Sequence, residues 1–344
     1  MDDMIRTLLS EPPPAAEATI DARRRLTDEI AGRRSARSPG RTWRWSLAGT
    51  AVAAAVAVVI AAGNLGANAP GVAPPGPGAT APELLLAAAH QAAATPAGSG
   101  RYWRVQILTK TSGQNVHGRA GGETFDIGTR LVNEVWQPKN PNDGTWAGEQ
   151  SLGWYPWSAR DRAAWERAGS PTEFEGFLEP STRPRNQNPT LSTKPRAGRL
   201  ERVEPGYRIE VYNLYDPFEL AKLPADPDAL RAAALDKLTK DGREPGNLGV
   251  YVMMTELLKF APATPELRSA AFTVLSRVPG VRNVGIREDA MGRQGIGIGY
   301  LDNGWIILNP RDYTFLGFGS DDRTTKSMLK AEWTDAEPVA PALS

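Results

Sequence analysis

Between Arg44 and Glu83 the chain carries no charged side chain. Within that stretch, Ser46 to Leu65 is an unbroken run of twenty uncharged residues. A helix rises about 1.5 Å per residue, so such a run covers the roughly 30 Å hydrocarbon core of a bilayer. Alanine supplies much of it; Leu47, Val52, Val56, Val59, Ile60 and Leu65 supply the apolar bulk. Arg33, Arg34, Arg37, Arg41 and Arg44 precede the run, and no Lys or Arg follows until Arg101. The positive-inside rule then places the N-terminus in the cytoplasm and the residues after 66 outside. Trp43 and Trp45 stand where interfacial aromatics belong. A cleaved signal peptide is the rival reading, because Ala67-Asn68-Ala69 has the A-x-A form. Signal peptides are usually about 15–30 residues long with an apolar core of about 7–15. The long leader and the longer run favour an uncleaved transmembrane helix at 45–65 and a location in the cell membrane. A buried helix of a soluble protein is the third reading. Both export readings place the bulk of the chain outside the cytoplasm.

Residues 1–44 then form a cytoplasmic tail. Thr19 can cap a short helix, Ile20–Gly32, whose apolar residues Ile20, Leu26 and Ile30 have nothing in the tail to bury against. The bland reading is a frayed juxtamembrane segment; the alternative is a helix that docks on a cytoplasmic partner. Residues 66–81 read as a Pro/Gly/Ala linker. Pro82 and Glu83 open a helix through "PELLLAAAHQAAATP".

The period then shortens. Tyr102–Thr109 and 130–138 read as strands, and 200–215 as two strands about a Pro205-Gly206 turn. The stretch 139–199, rich in Pro, Asn, Ser and Arg, reads as irregular. Three helices follow at 226–242, 247–262 and 264–280, each bounded by caps, early Pro or a closing Gly. The end of the chain alternates short apolar segments with turn signals such as Asp302-Asn303-Gly304, an antiparallel meander. The last residues, 331–344, read as a disordered tail. This order is not the alternating βαβ of a parallel sheet. It predicts one extracytoplasmic α+β domain at 82–330, an antiparallel sheet with segregated helices, beyond the N-terminal transmembrane helix. A curved sheet cradling helices, as in lipoprotein-carrier domains, is the nearest analogy.

Composition excludes several chemistries. The chain has no cysteine, so disulfides, thiolate zinc sites, iron–sulfur clusters and cysteine nucleophiles are absent. A net charge of +1 gives no global field for nucleic acid, and none is expected as a partner. The two histidines, His90 and His117, stand in no metal-ligand spacing. No cofactor or metal site is expected. The glycines of "GIGIG" (295–299) precede a hairpin rather than a helix, so they read as a closely packed strand and not as a nucleotide loop. Glu173, Glu175 and Glu179, or Asp321 and Asp322, could pair for glycosidic chemistry, but a solvated acidic loop explains them as well.

Aromatic density is the least ordinary feature. Trp136, Trp146, Trp154, Trp157 and Trp165 fall within thirty residues, half of the ten tryptophans. They can pack irregular loops onto the sheet. Alternatively Trp154, Tyr155 and Trp157, straddling Pro156, line a groove for a lipid, glycan or peptide.

Taken together, "DARRRLTDEI", the anchor, "AAATPAGSGRYWRVQ" and "ELLKFAPATPELRSAAFTVLSRVPGVRNVGIREDAMGRQGIGIGY" resemble the actinobacterial CU044_5270-type family of single-pass membrane proteins. The resemblance covers nearly the whole chain and is most specific at 98–104 and 257–299. It transfers no catalytic residues. Members are often encoded beside extracytoplasmic-function sigma factors, which implies signalling across the membrane to a cytoplasmic sigma factor. The His/Cys zinc motif of the common anti-sigma domain has no counterpart here. The leading expectation is a non-enzymatic envelope protein with an outer binding or sensing domain. A carrier or scaffold for envelope lipids or lipoproteins comes second, a glycan-acting enzyme third.

Overall fold

The computed structural model of the chain describes residues 78–178, 188–203, 217–321 and 323–343. All of them fall in one unit, Gly66–Ser344. The anchor at 45–65 and the tail residues Ile20, Leu26 and Ile30 lie outside the described residues. Among the described residues no helix is long and apolar enough to cross a membrane.

Helix α1, Ala81–Ala94, begins where Thr80 and Glu83 form a capping box, the Thr80 amide donating to Glu83 Oε2 at 2.8 Å. The chain then enters two long strands, β1 (Tyr102–Ala120) and β2 (Glu123–Pro138). They are joined by Gly121 and Gly122, both at positive φ, which a two-residue hairpin turn requires. Both strands run much further toward this turn than the apolar alternation at 102–109 and 130–138 predicts. The added portion, Thr111–Thr129, is rich in Gly and Thr, and cross-strand pairing holds it extended.

The described part of the stretch 139–199 is not irregular. It contains β3 (Thr145–Pro156), α2 (Ala159–Arg167), β4 (Glu173–Leu178) and β5 (Thr190–Ser192). The alternation of β3 is broken by a register shift at Gly153, which sits at φ 83 with its Cα against the Thr193 and Ser192 carbonyls. That bulge hides the strand period from the sequence. Helix α2 is fixed by a second capping box, Ser158 with Asp161. Strand β6, Arg199–Val203, matches the first of the two strands expected at 200–215; residues 204–216 lie outside the described residues.

The three expected helices are α3 (Pro227–Lys240), α4 (Asn247–Phe260) and α5 (Pro265–Ser276). The Asp226 and Thr264 side chains cap α3 and α5, each with Pro in the first turn. The meander follows as β7 (Val281–Glu288), β8 (Gln294–Tyr300), β9 (Trp305–Leu308), β10 (Phe315–Asp321) and β11 (Thr324–Thr334).

Among the described residues all strand pairs are antiparallel, and they form one eleven-stranded sheet in the order β6-β3-β2-β1-β11-β10-β9-β8-β7, with β4 and β5 branching from the outer part of β1. The architecture is therefore α+β and mostly antiparallel sheet. One apolar core joins α1, α3, α4 and α5 to a single face of β1 and β8–β11: Trp103, Val105, Ile298, Ile306, Leu308 and Phe318 from the sheet, Leu85, Leu230, Met254, Leu257 and Leu275 from the helices. Trp103 Nε1 donates to the Phe260 carbonyl at 2.8 Å, tying β1 to the end of α4. The glycines of β8 do what a packed strand demands: a Cβ at Gly295 would lie 2.6 Å from the Leu308 carbonyl oxygen.

The chain end corrects the expectation of a disordered tail at 331–344. Strand β11 pairs with β1 as far as Thr334↔Tyr102, and Asp335 Oδ1 accepts from the Arg101 amide at 3.0 Å. The tail then lies over β3 on the face away from the helices. There Pro341 fills the space that a side chain at Gly148 would need, 2.8 Å from that missing Cβ. The Pro- and Ala-rich composition of 335–343 conceals this, because the tail is held by backbone bonds and proline contact.

Candidate functional site

Alternation along β1 puts Arg104, Gln106, Leu108 and Lys110 on the face away from the helices, and along β2 it puts Trp136, Glu134, Val132 and Arg130 there. The register sets them opposite one another in four successive pairs: Arg104↔Trp136, Gln106↔Glu134, Leu108↔Val132 and Lys110↔Arg130. The first three are matched in chemistry. The Arg104 guanidinium lies 4.4 Å over the Trp136 ring and bonds the buried Glu134 carboxylate, which also accepts from Gln106 Nε2 at 3.1 Å. Leu108 and Val132 pack with Leu152 and Ala290, and Leu343 of the tail covers them.

The fourth pair sets two cations directly opposite each other, an arrangement that is normally destabilising. Neither has a carboxylate within ion-pair distance among the described residues. Beside them the Gly153 bulge turns Tyr155 onto this face, opposite Gly128. The Tyr155 ring centroid is 5.5 Å from Lys110 Nζ, 5.7 Å from the Arg130 guanidinium carbon and 5.9 Å from the Trp157 ring. Gly128 is the floor: a Cβ there would meet Trp157 at 2.8 Å and the Tyr155 hydroxyl at 3.1 Å.

Two polar atoms of this cluster, Arg130 Nε and the Tyr155 hydroxyl, are buried without a hydrogen-bond partner among the described residues. Arg130 Nη2 donates to the Leu152 carbonyl at 3.2 Å, which fixes the guanidinium. Burial pushes the Tyr155 phenol well above its ordinary pKa, so it remains a proton donor. Burial also lowers the Lys110 ammonium below its ordinary value, and Arg130 and Arg162 of α2 add to this; Glu288 and Asp289 act in the opposite sense. Asp289 is already committed, accepting from the Met291 and Arg293 amides at 2.9 Å and from Arg293 Nε at 2.7 Å.

Of the three expected groove residues, the structure brings Tyr155 and Trp157 together and sends Trp154 elsewhere. Trp154 packs with Phe125, Ile127, Ala164 and Phe174 under α2. Trp136 is fully buried, and Trp165 Nε1 donates to the Pro171 carbonyl at 3.0 Å. Half of the aromatic cluster is thus packing. Lys110 and Arg130, the charged half of the site, give no signal in the sequence, since only the β1–β2 register makes them neighbours.

The remaining candidates have local roles. His90 is exposed on α1, while His117 Nδ1 lies 2.7 Å from Asp126 Oδ1 with its ring beside Phe177. No group of three metal-ligating side chains occurs among the described residues. Glu175 accepts from Asn188 Nδ2 at 2.6 Å, and Asp321 accepts from the Arg323 and Thr324 amides in the β10–β11 turn. Glu179 and Asp322 lie outside the described residues. Comparison with protein-family profiles, with characterised proteins and with solved structures finds no match for the chain.

Proposed function

We propose that this chain is a non-enzymatic envelope protein: a single-pass anchor at 45–65, N-terminus in the cytoplasm, bearing an extracytoplasmic domain that binds a ligand on the sheet face away from the helices. One observation carries the reading. Lys110, Arg130, Tyr155 and Trp157 converge there, with two buried donors left without partners among the described residues. Buried polar groups in folded proteins are overwhelmingly bonded, so orphaned donors gathered beside aromatic rings mark a place for something else. The resemblance to the CU044_5270-type family fits this plan. Under it the tail residues Ile20, Leu26 and Ile30 dock on a cytoplasmic sigma factor, and ligand state outside biases that contact.

The test uses the intact chain extracted from its own membranes. Native mass spectrometry should show a non-covalent mass that Arg130→Met sheds. A chain with no bound mass, or a mass indifferent to that change, removes the reading. A C-terminal alkaline phosphatase fusion should be active and stay with the membrane; soluble activity from a product starting near Pro70 points to a cleaved signal instead.

A second reading, a carrier or scaffold for envelope lipids or lipoproteins, draws on a different observation: one continuous antiparallel sheet whose helical core joins a single face. That is the arrangement expected of a curved, lipoprotein-carrier-like sheet with an anchored N-terminus. It predicts an acyl chain in the bound mass.

A further inference from the structure

We propose that Lys110, Arg130 and the Tyr155 hydroxyl form a site for a phosphate monoester group, presented by a soluble ester or by the headgroup of phosphatidic acid. The proposal rests on the ligand-binding reading above and names the chemistry of that ligand.

The charge pattern asks for a multivalent anion. Lys110 and Arg130 face each other across the ladder, half-buried, and Arg162 adds a third positive charge to the field at Lys110. Of the two carboxylates that reach Lys110, Asp289 is neutralised by Arg293 and only the exposed Glu288 remains. Three cations against one uncompensated carboxylate leave two positive charges. A phosphate monoester brings close to two negative charges at neutral pH; a carboxylate brings one.

The donor set agrees. Arg130 Nε is a fixed guanidinium donor, because Nη2 is held by the Leu152 carbonyl. The Tyr155 hydroxyl is a neutral donor kept protonated by its burial, and Lys110 supplies an ammonium with no hydrogen bond to another side chain among the described residues. Both cations lie within 6 Å of the same Tyr155 ring. Their charged ends therefore gather about one ring, where charge-assisted bonds to tetrahedral oxygens replace mutual repulsion. Trp157, tilted 45° to Tyr155, forms an apolar wall for the group that carries the phosphate.

The experiment uses the full chain in neutral detergent. Thermal melting and tryptophan fluorescence are followed on adding inorganic phosphate or glycerol phosphate, or mixed micelles containing phosphatidic acid; acetate at matched ionic strength is the control. A phosphate-bearing arm should raise the melting temperature and saturate. Lys110→Met and Arg130→Met should each weaken that response at least tenfold, whereas Lys110→Arg retains it. Lys110→Met also removes the opposed charge, so its lost response with an unimpaired melting temperature is not unfolding. Response to the soluble esters identifies the free source; response only to phosphatidic acid identifies the headgroup. No response in any phosphate arm, an equal response to acetate, or a response indifferent to Lys110→Met overturns the proposal. If a bound mass survives in that variant and contains no phosphorus, the phosphate assignment fails while the binding domain stands.

Discussion

Gln150 and Leu343 hold each other by a reciprocal pair of bonds: the Leu343 amide donates to Gln150 Oε1 at 2.7 Å, and Gln150 Nε2 donates to the Leu343 carbonyl at 3.1 Å. A side-chain amide here imitates a neighbouring strand. The same Nε2 also reaches the Arg196 carbonyl at 3.2 Å, so one buried glutamine fastens two segments across β3.

Gln150→Ala deletes all three bonds and leaves main-chain groups in a half-buried seam. The expected loss is about 1–3 kcal/mol, the range for orphaned buried polar groups. Melting of the full chain measures the loss, and limited proteolysis followed by mass spectrometry should show the cut sites move into 335–343. A variant whose tail resists protease as well as the parent does removes the role given to this pair.

Lys110 gives a pH dependence of definite sign. Its folded-state pKa is lowered, chiefly by burial, so between that value and the ordinary 10.5 the unfolded chain binds more protons. Stability therefore rises with pH through this window, as linkage requires. Below it the penalty of holding a charged lysine opposite Arg130 is present in full. Lys110→Met removes the penalty. The variant should melt higher than the parent near neutral pH, and the gap should close as pH climbs toward 10.5. Since other groups titrate there too, the difference between the two proteins is the quantity to read.

The two tryptophans around Pro156 separate experimentally. Trp154 packs in the cluster under α2, so Trp154→Ala should cost stability toward the lower end of the about 3–5 kcal/mol known for large aromatic truncations. Trp157 stands beside Tyr155 on the other face, and Trp157→Ala should weaken binding more than folding. Thermal melts set against bound mass in each single variant test the split. Equal destabilisation by both places Trp157 in the structural cluster as well.

This separation shows where sequence reasoning reached its limit. Elements with local punctuation were legible: Pro82, Asp226 and Thr264 announce helices because a helix start is decided within a few residues. Strand β3 was not, because Gly148 and Gly153 serve contacts made far along the chain, with Pro341 and Thr193. The aromatic part of the candidate site was visible as composition, but the bulge at Gly153 reverses the alternation, so that Tyr155 and not Trp154 falls on the face of Arg130. Lys110 and Arg130 are twenty residues apart and look like ordinary surface charges. Only the register between two strands makes them a pair, and register is a long-range property.

Helix α4 offers the sharpest test of the core. Its sequence is apolar nearly all round, which predicts a helix covered on most sides. Val250, Met253, Met254, Leu257 and Leu258 are all buried, Leu258 at 4% exposure. The helix sits between α3 and α5 in the cluster that reaches β1, β8 and β10, and the Phe260 carbonyl at its end takes the Trp103 indole bond. Leu258→Ala should cost on the order of 2–5 kcal/mol, since removing a buried leucine loses its transfer energy and leaves a cavity that the core only partly closes. The melting temperature of the full chain should fall by several degrees, while the response of the Lys110–Arg130 site to its ligand, measured well below the melt, should be unchanged, because that site lies on the other face of the sheet. If stability is unaffected, α4 is peripheral; if the ligand response falls in step with stability, the two faces of the sheet are coupled rather than independent.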